Sequence, residues 1–190
     1  VSATPFALCF IALVVCQRLI ELAVARRHTR ILEAQGAIQI GRRQYRWFIV
    51  LHAAFFAALT AEVLAHPILP TRLHATWLAL FLGAQLLRLW AMRSLGVFWN
   101  TRILVMENAE PIAKGPYRWI RHPNYLAVTI ELISLPLVFD AWLTAIVFSI
   151  WNWLLIRRRV ALEEAALSRF TSYAGVHEHR ARGFFWGRRR

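Results

Sequence analysis

Apolar stretches long enough to cross a bilayer alternate with arginine-rich segments along this chain, and that alternation leaves few folds open. Thr4 to Ala25 is apolar apart from Gln17, Arg18 and Glu21; at ~1.5 Å rise per residue such a run covers a ~30 Å hydrocarbon core. Its amino end is uncharged and the charges follow the apolar run, so it reads as a structural helix and not as a cleavable signal. Trp47 to Leu64 and Leu73 to Ala91 are the next two spans, joined by a short turn containing Pro67 and Pro70. Tyr125 to Phe139 and Trp142 to Ile156 form a shorter hairpin about Asp140. The expectation is an all-α integral membrane protein of about five transmembrane helices. Residues 1–95 would form an amino-terminal membrane part, and residues 96–190 a core with a cytoplasmic loop and a helical carboxyl-terminal tail.

The composition agrees: 58% of the 190 residues are apolar, and the 23 Lys and Arg outnumber the 10 Asp and Glu. Six Arg fall in 26–46, four Arg and Lys114 in 92–122, and nine Arg in 157–190, whereas the 65–72 turn holds only Arg72. Basic loops collect on the cytoplasmic face. The pattern therefore predicts an outside amino terminus and a cytoplasmic carboxyl terminus, in a bacterial inner (plasma) membrane. Most of these Arg serve topology and contact with anionic membrane lipid. A nucleic-acid partner would need a basic soluble module, which is missing. The two Cys both lie in the first apolar run and offer neither a metal pair nor a disulfide framework. Nothing in the chain bears on oligomeric state.

The chemistry is expected between Gly96 and Tyr125, a segment long for a connector and too aromatic, with Trp99, Tyr117, Trp119 and Tyr125, for a solvated linker. It should fold against the spans; its TRILVM stretch suits a short strand or a membrane-surface segment equally. Pro123 can occupy the first turn of the fourth helix, leaving free N–H groups that attract anions. His122, just before it, is either a donor aimed at a ligand or an interfacial side chain satisfied by a neighbour. Arg159 and Glu163 are four apart on one helix face. They form an ordinary i,i+4 pair, or else Arg159 binds an anionic acceptor while Glu163 or Glu164 grips a polar or cationic cofactor group. Arg18 and Glu21 either neutralise each other against neighbouring helices or line a substrate route; Glu131 is a packing partner, a tunnel wall or a functional carboxylate.

The run GPYRWIRHPNYLA, followed about forty residues later by RVALEEAAL, resembles the signature of the isoprenylcysteine carboxyl methyltransferase family and its phospholipid-methyltransferase relatives, small membrane enzymes that use S-adenosylmethionine. The resemblance covers Gly96 to the end. It implies that Tyr117, His122, Pro123, Asn124 and Tyr125 line the S-adenosylmethionine pocket, with Glu163, and with Pro111 and Ile112 just upstream. It implies that Arg159 faces the acceptor. Ala127 stands where the family often has glycine, and the tail departs near His177. Arg18 to Leu22 and the spacing of Gly36, Gly41, Tyr45 and His52 resemble a bacterial branch found with type III polyketide synthases, which implies alkylpyrone or alkylresorcinol acceptors. The expected function is therefore O-methylation of a carboxylate, enol or phenol on a lipophilic acceptor. The alternatives are N-methylation of a lipid amine, or a non-catalytic scaffold or transporter subunit. A phenol would profit from a general base, for which His122 and Glu163 are the nearby titratable candidates.

Overall fold

The computed structural model describes residues 4–66, 73–107, 109–110 and 112–170. The Pro67 and Pro70 turn, Pro111 and the tail with His177 lie outside them. Five α-helices are described: α1 (Thr4–Ala34), α2 (Arg42–Ala65), α3 (Leu73–Leu95), α4 (Pro123–Leu137) and α5 (Trp142–Phe170). Three of the helical stretches, Thr4–Ala34, Arg42–Ala65 and Leu73–Phe98, are long and apolar enough to cross a membrane, which makes this an integral membrane protein. The expected fourth span falls in α4, which at 15 residues reaches only roughly 22 Å, short of a hydrocarbon core. The fifth falls in α5, which continues past Ile156 and its three arginines to Phe170.

The helical character is as expected, and to it is added a small two-stranded antiparallel ribbon, β1 (Ile38–Ile40) with β2 (Ile103–Val105), in which Gln39 faces Leu104. The middle of TRILVM is thus a strand, and its partner lies shortly after α1. The Gly36 backbone, at φ +90°, ends α1: Gly36 N–H bonds Glu33 O at 3.1 Å and Ala37 N–H bonds Leu32 O at 2.9 Å, the paired closure that a left-handed residue permits. The chain then reverses through β1 into α2. Ile103 and Val105 pack with Ala166 of α5 and with Ile40, which ties the ribbon to the far end of α5.

Helix packing follows the spacing of the buried side chains. In α2, Leu51, Phe55, Leu59 and Val63 recur every fourth residue and are buried, while Trp47, Ile49, Val50 and Leu64 on the other faces are exposed, as lipid-facing residues should be. α4 is the central helix, buried along most of its length between α3 and α5. At the α4–α5 turn, Asp140 adopts φ +57° and its carboxylate meets His74 Nε2 at 2.9 Å. Glu62 of α2 caps the start of α5, accepting from Leu143 N–H (3.0 Å), Thr144 N–H (2.8 Å) and the Thr144 hydroxyl (2.6 Å).

The buried stripe of α1 carries charge into this core. Arg18 and Glu21 of α1, Arg88 of α3 and Glu131 of α4 form a cluster of alternating sign. Arg18 pairs with Glu21 and with Glu131 (2.9 Å), and Arg88 pairs with Glu131 and with Glu21 (3.4 Å). Gln85 accepts from Arg18 Nη2 (2.7 Å) and Gln17 Nε2 (3.0 Å). Each cation thus meets both anions, and the formal charges sum to zero, the condition for holding ions in an apolar interior. Glu131, 5% exposed, is a packing partner of the helices.

Replacing Glu131 by Leu leaves two guanidiniums against one carboxylate and should cost about 3–5 kcal/mol. Adding Arg88→Leu restores neutrality and should recover most of that loss, read as the unfolding midpoint of the detergent-solubilised protein. A double variant no more stable than Glu131→Leu would refute the neutral-cluster account.

Candidate functional site

The segment from Gly96 to Tyr125 is nailed to the helices by side chains of its own sequence. Asn100 donates to Ala25 O (3.1 Å) and Thr29 Oγ1 (2.9 Å) of α1 and accepts from Arg102 N–H (2.9 Å). His28 donates through Nδ1 to Trp99 O at 2.8 Å. Arg102 reaches Gln39 of β1 at 3.3 Å and lies 5.4 Å from the Tyr45 ring centroid. Further on, Gly115 sits at φ +54°, and a Cβ there would fall 2.0 Å from Ser94 Oγ. Only glycine lets the Gly115–Arg118 turn press against α3, and Trp119 then packs on Trp90 at 5.8 Å. Tyr117 is carried on that turn.

His122 precedes α4, with its carbonyl accepting from Tyr125 N–H (3.1 Å) and Leu126 N–H (3.2 Å) and Pro123 in the first turn. Its ring stacks on Tyr125 at 5.3 Å, and its Nε2 lies 3.3 Å from Glu164 Oε1, which also meets Arg121 Nη1 at 3.5 Å. The i,i+4 expectation for Arg159 and Glu163 gives way to a three-membered chain. The Tyr125 hydroxyl accepts from Arg159 Nε (2.7 Å) and donates to Glu163. Arg159 Nη2 donates to Thr101 O at 2.8 Å, and its guanidinium lies over the Phe48 ring at 5.1 Å. With Nε and Nη2 engaged, Nη1 has no hydrogen-bond partner among the described residues.

These groups separate two cavities. The smaller, about 190 Å³, is lined by Ile112, Tyr117, His122, Asn124, Tyr125 and Glu163, together with the β2 segment, Arg102 and Glu110. The larger, about 390 Å³, is mostly apolar and runs among α1, α2 and α5. Phe48, His52, Phe56 and Val128 line it, with Arg159 near one part of its wall and Arg18, Glu21 and Arg88 at another. Trp99, Asn100, Asn124 and Tyr125 belong to both walls. Asn124 Oδ1 and Trp99 Nε1 are buried there without hydrogen-bond partners, an expensive arrangement for an interior that is to stay empty.

Most of the residues expected at a cofactor pocket thus converge on the smaller cavity, and Arg159 on the larger. Pro123 and Glu164 do not line either. Pro123 starts the helix, and Glu164 braces Arg121 and His122 from behind. Pro111 is not among the described residues. Trp99, Asn100, Phe48 and His52 escaped notice as site residues, because a loop tryptophan and a stripe on an apolar helix look alike whether they meet lipid, a neighbour or a cavity. Burial, with the Glu163 carboxylate adding to it, pushes the Tyr117 phenol up, so that it stays a neutral donor. Burial would also raise Glu164, but the hydrogen bond and charge of His122 and the charge of Arg121 outweigh it and hold that carboxyl below its usual range.

The geometry defines a class: an integral membrane protein with an amphoteric chamber beside an apolar one. The chain belongs to the isoprenylcysteine carboxyl methyltransferase (ICMT) family, which matches residues 77–169. A Bacillus subtilis (strain 168) protein, the uncharacterised YpbQ, is 40% identical over 161 residues, covering 85% of this chain and 96% of the relative. An uncharacterised Haemophilus influenzae protein is 28% identical over 158 residues, 83% of this chain and 92% of the relative. No solved structure matches the chain. Membership of the family makes the protein a membrane methyltransferase.

Since the folded-state pKa of Glu164 lies below its ordinary 4.5, its contribution to stability is present above that value and lost as pH falls through the lower one. Glu164→Gln should therefore cost about 1 kcal/mol at neutral pH. The gap from the parent protein should close under acid, when thermal unfolding is followed against pH. A gap independent of pH would contradict this.

Proposed function

We propose that the protein is an S-adenosylmethionine-dependent O-methyltransferase whose acceptor is a lipophilic molecule bearing an enol, phenol or carboxylate oxygen. The observation that carries this reading is the shared wall: a cavity edged with charged side chains and a more apolar one meet at Asn124 and Tyr125, and the same Tyr125 hydroxyl links Glu163 of the first to Arg159 of the second.

The residues present fit the methyl donor. A zwitterion with a sulfonium calls for both signs of charge, hydrogen-bonding groups and aromatic surface, and the smaller cavity supplies Glu163, Glu110 and Arg102, the unpartnered Asn124 Oδ1, and the stacked His122 and Tyr125 rings. Tyr117, His122, Asn124, Tyr125 and Glu163 would hold it, with Ile112 against an apolar part. When bound, S-adenosylmethionine supplies a methyl group on a positively charged sulfur. Arg159, anchored through Nε and Nη2, presents Nη1 to an oxygen carrying negative charge. Opposite charges cancel as the methyl moves, so a dry, apolar wall favours the reaction provided the oxygen is oriented by fixed donors. A guanidinium with a free Nη1 at the cavity wall disfavours an amine acceptor, whose positive charge it would repel.

The same reading explains the membrane. An acceptor with a long alkyl or prenyl tail gains ~0.8 kcal/mol per buried CH₂ in lipid, whereas the methyl donor is water-soluble. The arginine-rich end of the bundle carries the smaller cavity, supporting a cytoplasmic face there, an external amino terminus and an inner-membrane location. Residues 96–190 are then the methyltransferase core and residues 1–95 its membrane frame. The bacterial branch associated with type III polyketide synthases supplies the acceptor candidates, alkylpyrones and alkylresorcinols.

Titration calorimetry in detergent should show S-adenosylmethionine binding weakened about tenfold or more by His122→Ala and by Glu163→Ala. In Arg159→Ala binding should stay within about twofold while turnover falls about a hundredfold or more. Unchanged affinity in the first two would remove the site assignment. Incubation with labelled donor and a total lipid extract, followed by mass spectrometry, identifies the acceptor.

A further inference from the structure

The larger cavity contains a titratable side chain that no role above uses. His52 lies one helical turn beyond Phe48 on α2, so Tyr45, Phe48 and His52 form a single stripe on the cavity wall, and the Phe48 ring is the one that Arg159 overlies. His52 Nδ1 is 2.8 Å from Phe48 O. A carbonyl oxygen can only accept, so Nδ1 carries the hydrogen and Nε2 is left with its lone pair. Among the described residues Nε2 has no hydrogen-bond partner, and it is not one of the sealed, unpartnered atoms; it opens to the cavity. The other candidate bases are engaged: Glu163 accepts from Tyr125, and His122 Nε2 faces Glu164.

The charges facing the imidazole come from every helix around it. They are Arg18 and Glu21 of α1, Arg88 of α3, Glu131 of α4 and Arg159 of α5, with the Tyr45 and Tyr125 hydroxyls. The first four cancel within their cluster. Arg159 is the charge left over, and it is the group that would draw an oxyanion.

We infer that His52 Nε2 is the general base for an acceptor that arrives as a protonated hydroxyl, a phenol on an alkyl-tailed ring. The inference rests on the O-methyltransferase reading and narrows it, because a carboxylate, already ionised, has no proton for His52 to take. Nε2 accepts the hydroxyl proton, directly or through one water, as the oxygen bonds the methyl carbon beside Arg159. The C–S electron pair stays with sulfur, the sulfonium becomes a neutral thioether, and the imidazolium returns its proton to water. His52 stands about one helical turn, ~5.4 Å, along α2 from Phe48, whose ring Arg159 overlies, a step that one water between the acceptor oxygen and Nε2 would bridge.

Two measurements test this. In the first, protein labelled with ¹⁵N at histidine is titrated, without methyl donor, with a long-chain alkylresorcinol and with its dimethyl ether. The His52 Nε2 resonance should move with the phenol, which donates a hydrogen bond, and stay with the ether, which cannot. Equal responses, or none, overturn the assignment whatever the enzyme does in turnover. In the second, His52→Gln is assayed on the alkylresorcinol and on a long-chain 4-hydroxy-2-pyrone, an enol acid ionised at neutral pH. S-adenosylmethionine affinity by calorimetry checks that the variant is folded. Turnover of the phenol should fall about a hundredfold or more, while that of the pyrone changes less than about threefold. An equal fall on both makes His52 a binding or structural residue and overturns the proposal. If the parent protein methylates neither, the O-methyltransferase reading fails, and the base assignment with it.

Discussion

Ionised side chains in an apolar interior must find opposite charge or leave it, and this protein meets that constraint by joining helices through them. Arg18, Glu21, Arg88 and Glu131 sit on three different helices, so that satisfying their charges fixes how α1, α3 and α4 approach. Glu62 does the same between α2 and α5 by taking up the free N–H groups at the start of α5. A bundle held in this way keeps its registers without relying on apolar contact alone, which discriminates poorly between helices surrounded by lipid. The larger cavity lies among helices so fixed, and three members of the cluster form part of its wall.

The site depends on the same economy of partners. Arg159 is buried, and it remains charged because the Tyr125 hydroxyl and the Thr101 carbonyl hold two of its nitrogens and two aromatic rings cover it. Tyr125 in turn cannot turn away without taking a hydrogen bond from both Arg159 Nε and Glu163. One hydroxyl thereby sets the spacing between the Glu163 carboxylate and the Arg159 guanidinium. Asn124 and Trp99, which belong to both cavity walls, each keep a buried polar atom without a partner.

Much of the candidate site was legible because it is local. Gly115, Tyr117, His122, Pro123, Asn124 and Tyr125 lie within eleven consecutive positions of one another, and a proline at a helix start has a fixed meaning wherever it occurs. The reverse holds for the ribbon, whose strands are three residues each and lie some sixty residues apart. Neither strand has a pattern long enough to stand out alone. Spacing offered Arg159 an i,i+4 pair with Glu163 or an anionic acceptor, and it could not foresee Tyr125, whose hydroxyl stands between the two side chains. Glu164 and Glu163, adjacent in sequence, point to different tasks, because successive helix positions differ by a large rotation.

From the residues alone came the membrane-spanning character, the polar segment that folds back on the helices, and the group of side chains at the start of α4. These follow from hydropathy, charge and turn chemistry, properties that act over a few residues. Tertiary structure alone decided which charges neutralise one another and that the ribbon exists. It also decided that two cavities share a wall, and that His52 presents a bare ring nitrogen to one of them. Each of those depends on distances between segments far apart in the chain, and such distances are set by packing, on which local preference has no hold.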